Sequence, residues 1–173
     1  VCSSDLISIA QEIISSQYMG SILSNILIIA QENKLTIKAT DIKVNFETQV
    51  PVQITEEGTT TVYCDKFMGI LNSLPSGEIE FNQEKKEGEE QSINVIIKPV
   101  DKKIKFQMKS MSQEKFPEFY SAENVPYFEV SSKDIKEMIA QTSFAVSEDE
   151  TRYFMNGVFF EKKGDNLNMV ATD

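Results

Sequence analysis

Three stretches of the chain place apolar side chains at helical spacing. Leu6, Ile9, Ala10, Ile13 and Ile14 fall at i, i+3, i+4, i+7 and i+8, the stripe by which a helix lies on a core. Phe67, Ile70, Leu71 and Leu74 repeat it, with Asp65 as the predicted N-cap and Pro75-Ser76-Gly77 as the stop. Ile135, Met138, Ile139 and Thr142 form the third stripe, opened by Ser131 with Asp134 three residues on, a capping-box arrangement. Elsewhere the pattern alternates or runs β-branched, and it predicts strands over 22–31, 34–39, 43–52, 59–63, 78–82, 92–100 and 103–109. The charged tract 83–91, QEKKEGEEQ, is predicted as a solvated hairpin tip around Gly88.

The pattern also repeats at long range. Residues 22–41 (ILSNILIIAQENKLTIKATD) lie on 154–173 (FMNGVFFEKKGDNLNMVATD) without a gap, at an offset of 132 (154 − 22). Leu35/Leu167, Ala39/Ala171, Thr40/Thr172 and Asp41/Asp173 are identical, and Ile9-Ala10-Gln11 matches Ile139-Ala140-Gln141 at an offset of 130 (139 − 9). Solenoids repeat every 20–50 residues or so, so this period marks duplication of a whole domain. The second copy starts near Val125-Pro126 and holds a helix and two strands. A weaker echo lies within the first copy: helix and three strands over 6–52, then strand, helix and three strands over 59–109. The predicted class is α+β, with helices packed on antiparallel sheets in a duplicated domain. The predicted domains are 1–124 and 125–173.

Composition narrows the chemistry. Seventeen basic against twenty-seven acidic residues give a net charge of −10, which argues against gripping nucleic acid by bulk charge. The absence of histidine excludes imidazole bases, Ser-His and Cys-His dyads and histidine metal ligands. Cys2 and Cys64 are too few for a structural zinc site or a disulfide framework. The glycines, at 20, 58, 69, 77, 88, 157 and 164, form neither a Walker loop nor a dinucleotide fingerprint. The longest apolar run, 26–30, is far too short to span a bilayer.

Two readings stay open on these grounds: a β-rich protein-interaction module and a carboxylate-based hydrolase. The hydrolase needs two acids in one pocket. Asp41 and Asp173 are the obvious pair, but they hold equivalent positions in two repeats. Each is expected instead to bind turn amides at a strand end. Cys64, at a strand-to-helix junction, is expected to be a buried structural thiol.

Both ends read as cut. Val1-Cys2-Ser3-Ser4-Asp5-Leu6 back-translates onto the end of a common sequencing adapter, so residues 1–6 are expected to be foreign, and Cys2 with them. An intact genomic copy encoding the hexapeptide would overturn that expectation. Ala171-Thr172-Asp173 ends in mid-pattern, so the second domain is expected to be truncated.

Leu23-Ser24-Asn25, Ala39-Thr40-Asp41 and Phe116-Pro117 resemble segments of the bacterial DNA polymerase III sliding clamp family (beta subunit). More specific are Arg152-Tyr153-Phe154-Met155-Asn156-Gly157 and, downstream, Val170-Ala171-Thr172-Asp173. The resemblance runs from about Ile7 to the end. It implies the sliding-clamp fold, with three similar domains per chain and two chains closed head to tail into a homodimeric ring. The family's strand before the first helix is absent here. The implied function is that of a non-catalytic, cytoplasmic processivity factor. Its implied partners are double-stranded DNA, DNA polymerase III and other polymerases, and the clamp loader; no metal, cofactor or membrane is implied.

The resemblance also assigns residues. Arg152 would contact a DNA phosphate, Tyr153 would stack on an unpaired base, and Gln17 stands where the family carries a basic DNA-facing residue. Met155 and Thr172 would line part of a groove that receives partner peptides, where methionine suits varied ligands. The residues alone leave another reading open, in which Arg152 pairs with Glu148 or Asp149, Tyr153 is half-buried and Met155 is core. Two sets of polar residues, Ser8, Gln11, Glu12 and Ser15, and Lys66, Asn72 and Ser73, fit a water-filled pore or an ordinary solvated helix face equally well. So does the third, Lys133, Lys136, Glu137 and Gln141.

Overall fold

The alternating residues of the first copy form the centre of an antiparallel sheet. The computed structural model describes residues 3–14, 21–85, 93–120 and 125–173. It divides into two compact units, Val1–Tyr120 and Ser121–Asp173.

In the first unit, helix α1 (Ser3–Ile13) precedes strands β1 (Asn25–Gln31), β2 (Lys34–Thr40) and β3 (Asn45–Pro51). Strand β4 (Gly58–Tyr63) then leads directly into helix α2 (Cys64–Ser73), and β5 (Ile79–Lys85), β6 (Ile93–Pro99) and β7 (Phe106–Lys109) follow. The sheets run in the order β3-β2-β1-β4 and β5-β6-β7, antiparallel throughout. Helix α1 packs on α2, β2 and β3, and α2 packs on β4.

Side-chain alternation fixes which face is buried. Ile26 and Ile28 of β1 and Ile37 and Ala39 of β2 enter the core beside Ile7 and Ala10 of α1 and Phe67, Met68 and Ile70 of α2. Val95 and Ile97 of β6 and Met108 of β7 complete it. Each fully buried Ile or Val contributes about 1.5–3 kcal/mol. Phe67 meets Phe81 edge to face, centroids 6.1 Å apart. A polar seam ties β4 to the segment after β7. Thr61 Oγ1 accepts from Asn25 Nδ2 at 3.2 Å and from the Met111 amide at 3.2 Å, and donates to the Met111 carbonyl at 2.8 Å. Thr60 and Ser110 hydroxyls pair at 2.9 Å.

Several predicted boundaries move. Ile22–Ser24 is a 3-10 turn, with Ser21 Oγ accepting from the Leu23 amide, so the first strand starts only at Asn25. Residues 103–105 lie outside β7. Strand β5 continues through Lys85, so 83–85 are strand, while the rest of the predicted tip lies outside the described residues. The N-cap of α2 is Tyr63, not Asp65. Asp65 sits in the first turn, where an acid suits the helix dipole, and accepts from Gln11 Nε2 at 2.7 Å and Tyr63 Oη at 3.2 Å.

The second unit contains helix α3 (Ser132–Thr142) and strands β8 (Phe159–Lys163) and β9 (Asn166–Val170). Ser131 Oγ caps α3 by accepting from the Asp134 amide at 3.1 Å. The β8–β9 register pairs Phe159 with Val170 and Lys163 with Asn166. At the offset of 132 these are the β1–β2 pairs Leu27 with Lys38 and Gln31 with Lys34. The two hairpins therefore share one register, as the repeat predicts. At the first hairpin Glu32 (φ 50°) and Asn33 (φ 57°) are both left-handed, as a two-residue turn of matching twist requires. At the second, Gly164 (φ 56°) takes the place of Glu32 at no steric cost.

Candidate nucleic-acid interface

Three of the residues singled out by the resemblance, Arg152, Tyr153 and Met155, lie on one loop of the second unit. Ser147 is the only buried residue among those described there. Its amide donates to the Met155 carbonyl at 3.1 Å and its hydroxyl accepts from the Asp149 amide at 3.2 Å. Asp149 caps the 3-10 segment Glu150–Met155: Oδ1 accepts from the Thr151 amide at 2.9 Å and the Thr151 hydroxyl at 2.6 Å. Those two bonds, with a third from Arg152, hold the Asp149 carboxyl below its ordinary pKa.

Arg152 interrupts the helical backbone of this segment (φ −110°, ψ 53°). Its Nε donates to Asp149 Oδ2 at 3.0 Å, and its Nη1 lies 3.9 Å from Met155 Sδ. The alternative reading is thus half right: Arg152 pairs with Asp149. The pair is half-exposed, and an exposed pair is worth about 0–1 kcal/mol. A phosphate offers the same guanidinium fork stronger, bidentate bonds. Tyr153 is not half-buried: it is 80% exposed, with Phe154 edge to face against it at 5.8 Å.

Met155 is partly buried at the end of this turn, and Thr172 is exposed two residues past β9. Their repeat equivalents, Leu23 and Thr40, are both buried. Thr40 Oγ1 accepts from the Ile42 amide at 2.9 Å and donates to Asn45 Oδ1 at 2.6 Å. Gln17, Ser15 and Cys2 lie outside the described residues.

Asp41 behaves as a turn residue: Oδ1 accepts from the amides of Lys43 at 2.9 Å and Val44 at 2.6 Å. It is committed to its own loop, which removes one acid from the hydrolase reading. Cys64 is buried, and desolvation followed by the Asp65 charge pushes its thiol up to about 12. Among the described residues no group of three or more His, Cys, Asp or Glu could hold a metal ion. No helix among them is long and apolar enough to cross a membrane.

The reading from sequence missed Asn156. It belongs to the quoted motif, but nothing in its neighbours assigns it a role. Its side chain bonds back across the loop to carbonyls as far as nine positions upstream, a relation that local spacing does not reveal.

Comparison with known proteins decides the family. The family profile described as "DNA polymerase III beta subunit, N-terminal domain" matches residues 4–120, and that described as "central domain" matches 129–173. The chain belongs to the DNA polymerase III beta subunit family. Among beta-subunit relatives, the beta sliding clamp of Treponema pallidum is 47% identical over 167 residues, which are 96% of this chain and 43% of the relative. That of Escherichia coli K12 is 30% identical over 154 residues, 88% of this chain and 40% of the relative. The crystal structure of the Pseudomonas aeruginosa beta subunit superposes with a TM-score of 0.83 at 25% identity, covering 98% of this chain and 44% of that one. The Thermotoga maritima beta subunit gives 0.77 at 27% identity, covering 98% and 44%. The fold is that of the sliding clamp, and the chain spans less than half the length of these relatives.

Proposed function

We propose that this beta-subunit chain serves in a DNA-encircling sliding clamp, a processivity factor that tethers the replicative polymerase to duplex DNA. The observation that carries the reading is a hairpin built twice in one register, each time after a helix, in a chain matching the N-terminal and central domains of the family. A ring closed head to tail from two such chains needs units of this kind repeated around its circumference. Its work is topological and requires no covalent chemistry, so the protein is read as a non-catalytic, cytoplasmic component. Few phosphate contacts suffice, because closure rather than charge prevents escape.

In this reading domains 1–124 and 125–173 are the first clamp domain and the start of the second. Arg152 binds a phosphate by exchanging Asp149 for it, Tyr153 offers a stacking face, and Gln17 stands where the family carries a basic DNA-facing residue. Met155 and Thr172 contribute to the groove that receives peptide segments of DNA polymerase III, other polymerases and the clamp loader. The test is retention of the full-length protein, loaded by its clamp loader, on circular DNA before and after linearisation. Retention on circles with loss from linear molecules supports the reading; equal retention on both refutes it.

A further inference from the structure

Arg152 and Tyr153 protrude from a turn whose backbone is irregular, so something must hold that turn. Oriented by its surroundings, the Asn156 side-chain amide donates to three backbone carbonyls, those of Ser147 at 3.0 Å, Asp149 at 3.1 Å and Arg152 at 3.3 Å. Its own backbone amide donates to the Tyr153 carbonyl at 3.2 Å. One residue thus joins the start, cap and kink of the loop. The Arg152 carbonyl is turned out of the helical pattern by the residue's φ and ψ, and Asn156 meets it there. The amide is the right size and polarity: it brings two hydrogens to a cluster of acceptors. A carboxylate of the same shape would present only oxygen to oxygen.

We propose that Asn156 is the positioning residue of the DNA-facing loop, a side-chain tie that sets the Arg152 guanidinium and the Tyr153 ring in one fixed presentation. The role in DNA contact rests on the function proposed above; the tie itself is a property of the loop. Bonds at Asp149 and Thr151 order the cap, but only Asn156 spans from Ser147 to Arg152.

The experiment compares Asn156→Ala, Asn156→Asp and Arg152→Ala in the full-length protein by two readouts. The first is backbone amide exchange over residues 147–152. Loss of the tie should speed exchange at Thr151 and Arg152 by about tenfold, and Asn156→Asp should be no better than Asn156→Ala despite its matching shape. Native protection in Asn156→Asp would overturn the proposal, because a residue that merely fills space tolerates the isostere. This arm holds even if Asn156→Ala does not fold. The second readout is affinity for a primed duplex junction against salt. Asn156→Ala should lose what Arg152→Ala loses, including about 0.9 in the salt slope per lost phosphate contact. The double variant should be no weaker than either single one. Additive losses would overturn the proposal. An Arg152→Ala protein with unchanged affinity and slope would instead refute the DNA-contact reading, and the exchange arm would still decide the role of Asn156.

Discussion

The thiol of Cys64 is walled off by the core and faces the Asp65 charge. Because the thiolate is the nucleophile, Cys64 should resist alkylation in the native protein near pH 8 and react at the rate of a free thiol once denatured, as followed by mass spectrometry. Alkylation at equal rates in both states would place the side chain at the surface. The linkage has a definite sign. The folded pKa of about 12 lies above the unfolded one, near 8.5, so this contribution is complete below about pH 8.5 and is lost as pH rises towards 12. Asp149 runs the other way. Its depressed pKa makes its bonds to Thr151 and Arg152 fully effective above the ordinary carboxyl range and lost as pH falls below it. Burial of Cys64 was legible from its place at a strand-to-helix junction, where a lone thiol is ordinarily packed inside. An ion pair of Arg152 with Glu148 or Asp149 could also be read, because the partners stand only three or four positions away. Asn156 could not, since its acceptors are backbone atoms and no side-chain pattern marks them.

Between elements, the Thr61 hydroxyl holds β4 to the segment that follows β7 and to β1 at once. Thr61→Val keeps the shape and leaves partners in Asn25 and Met111 without it, at about 1–3 kcal/mol. Urea denaturation should show a lowered midpoint at unchanged m; an unchanged midpoint would mean that the seam carries no net stability. In the first hairpin, Glu32 holds a left-handed backbone that asparagine or glycine adopts more easily. Glu32→Asn should therefore stabilise by about 0.5–1 kcal/mol, seen as a raised midpoint in the same titration; a lowered one would show that the glutamate does more than turn the chain. The hairpins themselves were readable from alternation, and their common register from the repeat. The 3-10 turn at Ile22–Ser24 was not, because its apolar side chains continue the strand pattern while the Ser21 hydroxyl redirects the backbone. Asp65 misled for a related reason: its carboxylate is taken by Gln11 of another helix, which only the packed structure brings near.

At the largest scale, the net charge of −10 over these 173 residues bears on how a protein of the proposed function would stay on DNA. A protein held by six to ten phosphate contacts loses about 10³- to 10⁵-fold in affinity between 50 and 200 mM salt. A closed ring has no such dependence. Retention of the loaded, full-length protein on circular DNA should be level across that range while binding to linear duplex falls, measured by gel filtration; parallel decline would mean that charge does the holding. Duplication also leaves its mark in the turns. The two hairpins share one register, yet the first bends at Glu32 and the second at Gly164, both left-handed. Glycine meets that backbone freely, whereas a side chain there is strained. The ladder of paired residues, not the identity of the bend, is therefore what keeps count in both copies, and the bend is where either can be rewritten without losing its place.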